Sequence, residues 1–161
     1  MAQPDNFKVT LTHQTQTIAP VEGTITYLSE AVNKYKVEYK LLVAGPYLLR
    51  VQVQPNRNAN ADGPWYDLAQ SPLQVEAVVT EAYAFNTKLS GAGVKDATAG
   101  ILQTFTVTLF DVGDNQLVSG GDTLQITITD QADPFEEERA IEIFDNDDGT
   151  YLVKYLITKA A

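Results

Sequence analysis

Residues 139–158, RAIEIFDNDDGTYLVKYLIT, constrain the fold more tightly than any other stretch of the chain. Two runs of alternating apolar residues flank a short polar corner. Ile141 and Ile143 share one face before it, and Tyr151, Val153, Tyr155 and Ile157 share one face after it. A period of two carried by β-branched and aromatic side chains is the pattern of a half-buried strand. Asp145-Asn146-Asp147-Asp148-Gly149 supplies turn-formers, and Gly149 is free to take positive φ. The stretch is therefore a β-turn-β unit.

The same alternation recurs upstream. Strands are predicted at 7–12, 21–28, 33–42, 47–53 and 73–79, then at 105–110 and 124–130, with an acidic connection at 133–138. Residues 54–70 break the pattern with Asn, Ala, Asp, Gly and Pro, and Trp65 lies near the end of that long loop. Val, Thr, Ile and Tyr dominate, and no long charged amphipathic helix is visible, so the chain is all-β.

The pattern also repeats. FKVTLTHQ (7–14) lies over LQITITDQ (124–131) at an offset of 117, and NKYKVEYKLL (33–42) lies over TYLVKYLI (150–157) at 116. Tyr35 falls with Tyr151, and Tyr39 with Tyr155. A near-constant offset across several strands points to two copies of one module, met out of phase.

The residues then resemble a known family, the filamin-type immunoglobulin-like repeat. Its hallmark D-N-G-D-G-T-Y-x-V-x-Y is matched by Asp145, Asn146, Asp148, Gly149, Thr150, Tyr151, Val153 and Tyr155, with Asp147 in place of the first glycine. Ser90-Gly91-Ala92-Gly93, Ala99-Gly100, Phe105-Thr106-Val107, Asp111, Gly113 and Gly120-Gly121-Asp122 follow the order of the family's opening half. Gly45-Pro46-Tyr47 and Ser71-Pro72-Leu73-Gln74-Val75 resemble its closing half. Two departures stand out: residues 29–33 lack the acidic-glycine corner, and the connection at 54–70 is longer than such repeats carry.

The resemblance implies immunoglobulin-like β-sandwich modules in tandem. Residues 1–79 would carry strands C to G with a long F–G loop at 54–70, and residues 80–161 strands A to E. Neither half is complete by itself, because a seven-stranded sandwich needs both groups. Either the chain is a stretch of a longer array, or strands complement one another across copies in a strand-swapped homodimer. The array is the simpler explanation.

Function follows the same comparison. The formal charge is −10. Before Glu81 seven acids face six bases, and from Glu81 onward fourteen face five, which argues against a nucleic-acid partner. No apolar run approaches a membrane span, Met1-Ala2-Gln3-Pro4 does not read as a signal peptide, and there is neither a cysteine nor an Asn-x-Ser/Thr acceptor. These point to the cytoplasm. The single histidine, His13, has no nucleophile motif around it and reads as a solvent-facing residue at a strand end. The acids cluster in turns, where they serve backbone geometry rather than a glycosidase pair. Counted as a calcium loop from Asp145, the sixth and twelfth places hold Thr150 and Leu156, so the corner is a structural turn. No enzyme activity, cofactor or metal is expected.

In the family a partner peptide adds as a strand beside strand C, in the groove between C and D. The resemblance thereby marks Lys8, Thr10 and Thr12 with Thr26 and Leu28 on the first module, and Gln125, Thr127 and Thr129 with Glu142 and Phe144 on the second. Trp65 is a further anchor candidate, although folding back to close the end of the sandwich is its simpler role. The implied function is a cytoskeletal spacer and protein-binding scaffold that docks peptides by β-augmentation. The rival is a cell-surface adhesion ectodomain built from similar repeats.

Overall fold

A computed structural model describes residues 5–29, 34–55, 63–129 and 141–158. The chain divides into two compact units, Met1–Val78 and Val79–Ala161. All pairings between strands are antiparallel.

The first unit is built on β1 (Asn6–His13) and β5 (Gly45–Gln54), which pair from Asn6↔Gln54 to His13↔Tyr47. Their inward residues Val9, Leu11 and Tyr47 form the buried core. Strand β2 (Val21–Glu22) lies on the far edge of β1. Strands β6 (Tyr66–Asp67) and β7 (Leu73–Ala77) succeed each other along the far edge of β5. At the step between them the Ser71 hydroxyl accepts the Val51 amide at 2.8 Å, so the ladder loses no partner there. A separate hairpin, β3 (Thr24–Ser29) and β4 (Lys34–Glu38), packs Ile25 against the core. Strand β4 ends at Glu38, short of the predicted 42, because its pairing with β3 ends there.

In the second unit, β8 (Lys88–Ser90), β9 (Leu102–Thr108), β10 (Ile141–Asp145) and β11 (Thr150–Leu156) form one sheet in the order β10-β11-β9-β8. Phe105, Val107, Leu109, Leu117, Tyr151, Val153 and Tyr155 make its core, and Leu124, Ile126 and Ile128 pack against it. The segment 124–128 alternates inward and outward as the sequence requires, yet it forms no strand among the described residues. The similarly patterned β1 is a strand because β5 lies beside it. Alternation alone builds no ladder. The departing turn at 29–33, the connection at 133–138 and the middle of the 54–70 loop lie largely outside the described residues.

Candidate docking edges

The Asp145–Gly149 corner sets the end of the β10–β11 hairpin. The Asp145 carboxylate accepts the amides of Asp147 at 2.8 Å and Gly121 at 2.7 Å, which ties the corner to the 120–122 turn. Asp148 accepts the Thr150 amide at 2.9 Å and its hydroxyl at 2.6 Å, and these bonds hold its carboxyl below the usual carboxylate range. Asp147 and Gly149 take positive φ, 60° and 79°. The Tyr151 hydroxyl accepts the Asp122 amide at 2.9 Å, while burial and the nearby Asp145 and Asp122 charges raise its pKa. Asp145 and Asp148 are thus spent on backbone amides. Among the described residues no group of three acidic, His or Cys side chains could hold a metal ion.

This corner leaves β10 with one neighbour, β11, so its other edge is open among the described residues. Glu142 and Phe144 are exposed on it. Phe144 is 43% exposed, and Lys154 of β11 lies over its ring, with Nζ 4.5 Å from the centroid. Gln125, Thr127 and Thr129 are exposed on the segment that covers the core. All five residues expected on the second module therefore face outward.

The first unit differs. Lys8 and Thr12 are exposed and Thr10 is half-buried. The edge of β1 is already occupied in its middle by the chain itself: β2 pairs Thr10↔Glu22 and Leu11↔Val21, and the Gly23 amide donates to the Val9 carbonyl at 2.9 Å. Thr26 and Leu28 are exposed on β3. Trp65 is 41% exposed.

Three polar residues organise these units without having been singled out for that role. His13 is buried, contrary to the solvent-facing position expected for it. Its Nδ1 accepts the amides of Thr15 at 3.2 Å and Gln16 at 3.1 Å, which makes Nε2 the donor to the Ala44 carbonyl at 3.1 Å. It also packs edge-on against Tyr47, whose hydroxyl donates back to the Val43 carbonyl at 2.9 Å. Tyr47 thus resembles the tyrosine corner of immunoglobulin-like sandwiches. His13→Ala would leave these backbone groups without their partner, and we expect a loss of about 2 kcal/mol in urea unfolding. The single tryptophan, Trp65, reports on the first unit in that measurement. Asp111, the third residue, gathers the start of the second unit. Its carboxylate accepts the amides of Gly113 at 2.8 Å, Asn115 at 3.0 Å and Thr80 at 3.1 Å, and the Asn115 side chain at 2.9 Å. The Asp-x-Gly-x-Asn spacing at 111–115 is the sequence signal for this cluster; nothing comparable marks His13.

Antiparallel sheets, a sandwich-type core and a Tyr-x-Val-x-Tyr strand after an acidic-glycine corner define an immunoglobulin-like β class. The Filamin/ABP280 repeat model matches residues 81–161, half of the chain, and the chain belongs to that family. Repeats of this family are structural modules that bind other proteins. Among the described residues no helix is long and apolar enough to cross a membrane.

Proposed function

We propose that this chain is a stretch of a tandem filamin-type array, with two out-of-phase modules, that serves as a cytoskeletal spacer and docks partner peptides by β-augmentation on its second unit. Strands C to G of one module fall in residues 1–79 and strands A to E of the next in 80–161. The arrangement of β1, β5 and β7 as one sheet beside the β3–β4 hairpin supports this lettering, as does the β9-β11-β10 order in the other unit. A scaffold acts here through exposed backbone and shape rather than bond chemistry, so no catalytic role is assigned.

One observation carries the choice of docking unit. The edge of β1 beside Lys8, Thr10 and Thr12 is partly paired with the chain's own β2, whereas the edge of β10 carrying Glu142 and Phe144 has no partner among the described residues. An incoming strand gains main-chain hydrogen bonds from such an edge and specificity from alternate side chains. Gln125, Thr127 and Thr129 supply the polar wall, and Phe144 with its overlying Lys154 supplies the apolar contact. Thr26, Leu28 and Trp65 are secondary contacts of the first unit.

The test uses a panel of fluorescein-labelled decapeptides that alternate Val, Ile or Phe with Ser or Thr, read by anisotropy against the full chain. At least one peptide should bind saturably. Phe144→Glu and Thr127→Pro should each weaken it about tenfold, the effect of losing an apolar contact or a backbone donor worth about 1.4 kcal/mol. Thr12→Pro in the first unit should leave it unchanged. Binding that responds to Thr12→Pro and ignores Phe144→Glu would reverse the assignment.

A further inference from the structure

Asn146, the residue after β10, turns its amide towards β11 and donates to the Thr150 carbonyl at 3.1 Å. Backbone groups alternate in direction along an antiparallel strand, so Phe144 and Glu142 also point theirs at β11, opposite Leu152 and Lys154. Those of Ile141, Ile143 and Asp145 point at the other edge. The side chains alternate in step. Ile143 shares a face with the fully buried Val153 opposite it, yet is 37% exposed. Phe144 and Glu142 are exposed on the outer face. Among the described residues Glu142 makes no ion pair, and Lys154 opposite it lies over the Phe144 ring instead. The order β10-β11-β9-β8 corresponds to D-E-B-A, and in an immunoglobulin-type sandwich strands F and G join C in the other sheet. In a complete module β10 therefore still ends its sheet.

We infer that the peptide strand taken up by β10 runs antiparallel to it and carries, in order, two apolar residues and then an Arg or Lys. The first lies opposite Phe144 on the outer face, the second opposite Ile143 on the inner face, and the base opposite Glu142. This rests on the docking reading above and adds the partner's chemistry to it. The new backbone bonds run to Ile143, so the pairs at Phe144 and Glu142 are the non-hydrogen-bonded ones, with Cα atoms about 4.5 Å apart and side chains closest. Apolar and opposite-charge pairs across such positions are those that favour a sheet. Charge also selects a base: from Glu81 onward fourteen acids face five bases. The antiparallel direction is that of every ladder in the unit and is the more stable per residue.

Anisotropy on the full chain at low salt tests it with three labelled decapeptides, alike in their Ser, Thr and Val flanks and centred on Leu-Val-Arg, Leu-Val-Glu or the reversed Arg-Val-Leu. The first should bind about fivefold more tightly than either of the others. Glu142→Arg should invert the choice between Arg and Glu. Cross-linking then fixes the register. The chain has no cysteine, so Glu142→Cys supplies a single thiol. In glutathione buffer it should trap a peptide with Cys in the place of Arg but not one with Cys in the place of Leu, and Phe144→Cys should choose the other way. Binding that Phe144→Glu weakens but that ignores the peptide's charge, prefers the reversed peptide or cross-links in another register overturns the inference and leaves docking on β10 standing. Absence of binding by all three peptides and by the whole alternating panel removes both.

Discussion

Gly149→Ala is expected to unfold most of the second unit's sheet, at a cost of about 3 kcal/mol or more. Two effects combine. Gly149 sits at φ 79°, where a side chain is strained, and a Cβ there would run into the Leu117 carbonyl. Neither neighbour can yield easily: the Gly149 carbonyl accepts the Leu109 amide at 2.9 Å, and the Leu117 amide donates to the Leu109 carbonyl at 3.0 Å. A shift at Gly149 therefore reaches Leu109 and Leu117, both in the core. Gly100→Ala is the control. Its φ is almost the same, 78°, but a Cβ meets nothing within 4 Å. That variant should lose only the conformational part, about 1 kcal/mol. Hydrogen exchange at the amides of β9 and β11 reads both. Equal losses at the two glycines would show that the Leu117 contact contributes nothing.

Asp111→Ala should cost about 3 kcal/mol, again in the second unit, since the amides of Thr80, Gly113 and Asn115 lose one common acceptor. The residue is only 3% exposed, so water replaces the carboxylate poorly. Burial works against its charge, but the hydrogen bonds from Asn115, Thr80 and Gly113 outweigh it and hold the carboxyl below the usual carboxylate range. The sign follows from that direction. A depressed carboxylate stabilises the fold above the unfolded value of about 4, and the contribution fades as pH falls through the lower folded value. The wild-type unit should therefore lose stability below about pH 4, and Asp111→Asn should show a flatter acid limb. Thr80 is expected to release first, because its amide reaches Asp111 from the beginning of the unit rather than from the same loop.

Strand alternation made much of the fold legible in advance. Residues 7–12, 47–53 and 151–157 read as strands because one face of each is buried, and burial imposes the period of two. The Asp145–Gly149 corner was legible because its geometry is local: short polar side chains bonding to amides two residues away. What could not be read depends on neighbours far along the chain. Residues 124–128 and β1 share a pattern, but only β1 has a β5 beside it. Strand β4 stops at Glu38 although Tyr39 and Leu41 continue the alternation. His13 is polar and next to threonines, so nothing local announces that Ala44, Thr15 and Gln16 surround it. Among the docking candidates, outward orientation followed from alternation. The occupation of the β1 edge did not, since a two-residue strand such as β2 carries no period at all.

The open edge of the second unit is tested most directly by backbone hydrogen exchange on the full chain with and without the tightest-binding peptide of the alternating panel. New protection should fall on the amides of 141–145 and 124–129, with no change along 6–13, where β2 already covers part of the edge. Protection confined to 6–13, or none in either place under saturating peptide, would contradict docking at that edge.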